Sequence, residues 1–64
     1  MKKEERQVLF NKYVNNGLSF DEANFKLRIT IKTLKDMTDK LRKQNKPESY
    51  INERFAREFE KLTR

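Results

Sequence analysis

One glycine and one proline interrupt the 64 residues, at positions 17 and 47. β-Branched residues are sparse, and no stretch alternates apolar and polar side chains with period two. Strands and tight hairpins are therefore disfavoured throughout. The expected fold class is all-α, a small domain of three to four helices over residues 1–64.

Apolar spacing and stop signals place the helices. The first is expected over about residues 3–15, with Val8, Leu9, Phe10, Tyr13 and Val14 on a broad apolar face. Glu4 and Glu5 suit the positive end of its dipole. Asn15-Asn16-Gly17 ends it, with Gly17 suited to a left-handed C′ position. The second opens at Ser19-Phe20-Asp21-Glu22, a capping box flanked by Leu18 and Ala23 at staple positions. A third is expected from Thr30 as N-cap to about Gln44, with Ile31, Leu34, Met37 and Leu41 as its inner stripe. Gln44-Asn45-Lys46-Pro47 stops it, because the residue before a proline is pushed out of the α region. The fourth, about residues 48–63, follows Pro47, which suits a first helical position. Its stripe of Ile51, Phe55, Phe59 and Leu62 is expected either to close the core or to form a dimer seam. Phe25 and Tyr50 fall off their stripes and are candidate interface residues.

A chain this short buries only about 60% of its unfolded surface, so a homodimer or a bound partner is an expected further source of stability. Cysteine and histidine are both absent, which excludes a disulfide scaffold, a thiol-ligated zinc site and His-based acid–base chemistry. Ser19 and Ser49 stand at helix starts with nothing to activate them as nucleophiles, and a single glycine rules out a glycine-rich phosphate loop. No enzyme activity, cofactor or metal is expected. No apolar run approaches the 18 or so residues of a transmembrane span, and Lys2-Lys3 is not followed by an apolar signal-peptide core. The expected location is the cytoplasm, at the nucleoid if the chain binds DNA.

The charge is unevenly distributed. Residues 26–46 hold eight basic side chains against Asp36 and Asp39, which equals the net charge of the whole chain, +6. Residues 1–25 and 47–64 each balance four basic against four acidic side chains. A cationic block between neutral flanks is the footprint of a surface that meets a polyanion. Lys35–Asp39, Asp36–Lys40 and Asp39–Lys43 have the i,i+4 spacing of helical ion pairs, the solvated-face reading of the same charges.

The segment Leu18 to Met37 resembles a bacterial or phage helix-turn-helix. Glu22-Ala23 opens it. Leu27, Ile29, Leu34 and Met37 match its apolar positions, and Thr30 matches the N-cap of its second helix. Asn24 stands where the pattern has a small residue and Arg28 where it has a turn glycine. The resemblance implies a helix-turn-helix at about residues 18–44, with the second of its helices in the major groove of duplex DNA. It places Thr30, Ile31, Lys32, Lys35 and Asp36 at base-reading positions and makes Lys26, Arg28, Lys40 and Lys43 phosphate contacts. The implied function is that of a small DNA-binding regulator of transcription or of a mobile element. The competing expectation is a helical interaction module, an accessory or inhibitory factor that docks on a larger acidic protein. Membrane binding is disfavoured, because the apolar residues opposite the lysines are needed for the core.

Overall fold

The computed structural model describes residues 1–64 as three helices and no strands. They are α1 (Lys3–Asn15), α2 (Phe20–Lys43) and α3 (Glu48–Thr63). Both connections are short, so each helix folds back on the one before it.

The ends of the helices are built as the sequence requires. At the close of α1, the Gly17 amide donates to the Val14 carbonyl at 3.0 Å and the Leu18 amide to the Tyr13 carbonyl at 3.2 Å. This Schellman pattern needs a left-handed residue, and Gly17 supplies φ 96°. The same pattern closes α2, where Asn45 donates to Arg42 at 3.0 Å and Lys46 to Leu41 at 3.1 Å. Here Asn45 holds φ 60°, and asparagine is one of the few non-glycine residues that tolerate it. The Ser19 hydroxyl accepts from the Glu22 amide and the Glu22 carboxylate accepts from the Ser19 amide, both at 3.2 Å. Pro47 serves as the N-cap of α3, one residue before the first-turn position expected of it, and its carbonyl accepts from the Ile51 amide at 3.1 Å.

One expectation fails. The second and third helices are a single helix of 24 residues, so the turn of the helix-turn-helix is not formed. The reasons are local. Arg28 is a good helix former and lacks the freedom that a turn glycine would have supplied. Thr30 does not act as an N-cap; its hydroxyl lies 2.9 Å from the Tyr13 hydroxyl. A continuous helix also gives the apolar positions a single stripe. Ala23, Leu27, Thr30, Ile31, Leu34, Met37, Thr38 and Leu41 recur every three or four residues and are all buried or half-buried.

At about 1.5 Å per residue, α2 is roughly 36 Å long, and it sets the long dimension of a molecule measuring 39 × 18 × 17 Å. α1, at roughly 20 Å, covers only part of it. The core is correspondingly thin: Leu9, Tyr13, Ala23, Leu34 and Ile51 are the buried residues. Phe10, Val14, Leu18, Leu27, Phe59 and Leu62 pack around Leu9, Tyr13 and Ala23. Residues from all three helices meet there, so the C-terminal end of α3 lies against α1. The α3 stripe thus closes the intramolecular core, with Ile51 1% exposed and Phe55 stacked on Phe59 at 6.1 Å. Phe55, Phe59 and Leu62 are half-buried around that core. Where α1 runs short, a groove of about 640 Å³ opens between α2 and α3 over Ile31, Leu34, Ile51 and Phe55.

Candidate nucleic-acid interface

The inward stripe decides what points outward. At about 100° per residue, Arg28, Lys32, Lys35 and Lys43 fall within roughly an 80° sector on the side of α2 away from Ala23 and Leu34. All four are exposed, as are Lys40 and Lys46. The cationic face does not depend on a separate recognition helix, because α2 carries it along its own length.

Ion pairing separates this face from α3, though not from α1, whose Lys3, Arg6 and Lys12 are also without carboxylate partners. Every basic residue of α3 is matched: Arg57 to Glu53 at 2.7 Å, Arg54 to Glu58 at 3.8 Å, and Lys61 to Glu58 at 3.7 Å. Arg64 lies 3.5 Å from Glu60. Among the basic residues of the 26–46 block, Arg42 is the one with a carboxylate partner. It lies 3.6 Å from Asp39 and 3.2 Å from Glu48, bridging α2 to the start of α3. The three i,i+4 pairings that the spacing allows along α2 are not made. Asp39 turns to Arg42, and Lys35, Lys40 and Lys43 remain without carboxylate neighbours. Exposed pairs of this kind contribute little, so the local preference is easily lost to a bridge that also ties two helices together.

The other candidate residues are placed differently from one another. Lys26 turns toward α1 and stands over the Tyr13 ring at 4.9 Å, and Lys46 stands over Tyr50 at 5.5 Å. A cation on a ring keeps its charge but loses reach. Thr30 is half-buried against Tyr13 and Ile31 is half-buried beside Leu34 in the groove, so neither belongs to the outward face; Lys35 also lines the groove but stays exposed at its rim. Asp36 is exposed beside the cationic sector and, like Asp21 at the head of α2, has no basic partner. Phe25 is 67% exposed and does not pack on α3; Tyr50 is 41% exposed. Ile29, which the helix-turn-helix resemblance places in the helix packing, is instead 51% exposed, because an unbroken α2 turns it away from the core.

The cap at the start of α2 shifts a carboxyl. The Ser19 side chain, and then its backbone amide, hold Glu22 below the ordinary glutamate value of 4.5. This is a structural role; Glu22 anchors the helix end and leaves the face between Arg28 and Lys43 undisturbed. No three His, Cys, Asp or Glu residues come together to hold a metal ion, and no helix is long and apolar enough to cross a membrane. No protein family, curated protein or solved structure matches the chain.

Proposed function

We propose that this chain binds duplex DNA through the outward face of α2, with contacts to phosphate supplying most of the affinity. One observation carries the reading. Arg28, Lys32, Lys35, Lys40 and Lys43 are exposed on one helix and free of carboxylate partners, whereas every cation of α3 is paired. An unpaired row of cations along a straight helix gives up no internal bridge when it meets a phosphate backbone. Residues 26–46 contain no aromatic side chain, which argues against stacking on single-stranded bases. The helix-turn-helix resemblance implied a sequence-reading regulator. With that turn absent, the proposal is confined to duplex binding, and base reading by Lys32, Lys35 or Asp36 is not part of it.

Fluorescence anisotropy of a labelled random duplex across a salt series tests the proposal. Roughly four cations of one helical face can reach phosphates together, so log K should fall with log salt at a slope of about −4. Absence of binding at low salt, or affinity indifferent to salt, would refute it.

A further inference from the structure

We infer that a second copy of the chain docks antiparallel on the outer face of the first half of α2, centred on Phe25 and Ile29. These two side chains stand one helical turn apart and are 67% and 51% exposed. With Leu18, Asp21, Glu22 and Lys26 they line one shallow depression, on the side of α2 that neither α1 nor α3 covers.

The order of residues along this face selects the occupant. Acidic Asp21 and Glu22 precede the apolar pair, and basic Arg28 and Lys32 accompany and follow it. A face that runs from acid through apolar to base is complementary to itself in reverse. Place a two-fold axis midway between Phe25 and Ile29, near Leu27. Phe25 of each copy then meets Ile29 of the other, and Asp21 of each comes opposite Lys32 of the other, since both pairs share nearly the same midpoint. This is an isologous contact, the commonest kind in homodimers. A parallel copy would set Asp21 against Asp21 and Lys32 against Lys32. Neither residue has an ion-pair partner within its own chain, so both are available. The thin core, five buried residues, gives the association something to add.

The overlap ends near residue 34 of each copy. Lys43 and Lys46 project beyond it, with the two Lys43 residues roughly 50 Å apart along the paired helices. Arg28 and Lys32 lie within the overlap, so association and duplex binding compete for them, and the dimer leaves Lys35, Lys40 and Lys43 for phosphate. The inference does not rest on DNA binding, and its test contains no nucleic acid.

Sedimentation equilibrium from low micromolar to millimolar protein is the experiment, with circular dichroism to verify helicity. Wild type should move from the monomer mass to twice that mass. Phe25→Glu should remain monomeric with unchanged helicity, and Ile29→Glu gives a second reading of the same face if Phe25→Glu disturbs the fold. Lys32→Asp should weaken the dimer about tenfold by opposing like charges, and adding Asp21→Lys should restore it. A monomer at every concentration, a dimer indifferent to both glutamate substitutions, or a reversed charge pair that fails to restore association would each overturn the inference.

Discussion

Replacing Tyr13 with Phe removes the hydroxyl that meets Thr30 across the interface of α1 and α2 at 2.9 Å. Tyr13 is 4% exposed, so the ring stays in place and the change isolates the hydrogen bond. A net contribution of about 1 kcal/mol is expected for such a bond. With a urea slope near 1 kcal/mol per molar, at the low end for small domains, the unfolding midpoint should fall by about 1 M. Thr30→Val removes the other hydroxyl at nearly constant shape and helix propensity, and should cost about the same. The double variant decides the point. If the two hydroxyls serve each other in the interior of one helix, Tyr13→Phe/Thr30→Val should be hardly less stable than either single variant, a coupling of about 1 kcal/mol. If Thr30 instead capped a separate helix, its loss would cost about 1 kcal/mol in either background and the effects would add. Additive losses would refute both the contact and the continuity of α2 that it supports.

Two further predictions concern the helix ends. Gly17→Ala should destabilise the fold by about 1 kcal/mol in a thermal or urea melt; a Cβ at this position meets nothing within 4 Å, so the cost lies wholly in holding alanine at φ 96°. The Glu22 carboxyl is depressed by Ser19, so its stabilising effect is present above about pH 4.5 and is lost as pH falls through its lower folded value. Glu22→Gln should therefore show a smaller drop in Tm than wild type between neutral and strongly acidic pH.

Much of the fold is legible in the residues because its signals are local. Gly17, the Ser19–Glu22 box and Asn45–Pro47 each fix a helix end through the few residues around it, and the observed ends follow. The interior of α2 is harder to read. Leu27, Leu34 and Met37 fit both a broken and an unbroken helix, since each lies on the inner face either way. Ile29 and Thr30 distinguish the two, and what they do depends on α1: Tyr13 engages Thr30, and Ile29 is turned outward. Arg28 in place of a turn glycine was the local sign that no break is made there. The cationic face shows the same division. Its net charge is legible, but which cations remain free is not, because the bridge from Arg42 to Glu48 spans a turn and diverts Asp39's neighbour from the helix-local pattern.

Two matched variants test most directly whether the unpaired face of α2 carries DNA binding. One converts Arg28, Lys35 and Lys43 to Gln; the other converts Arg54, Arg57 and Lys61 of α3 to Gln. Each lowers the net charge of +6 by three, so any difference between them reports position and not total charge. The α2 set should weaken duplex binding by about two orders of magnitude and flatten the salt slope by roughly three units. The α3 set should bind within about threefold of wild type. Equal losses from the two sets would show that only bulk charge matters and would contradict the account.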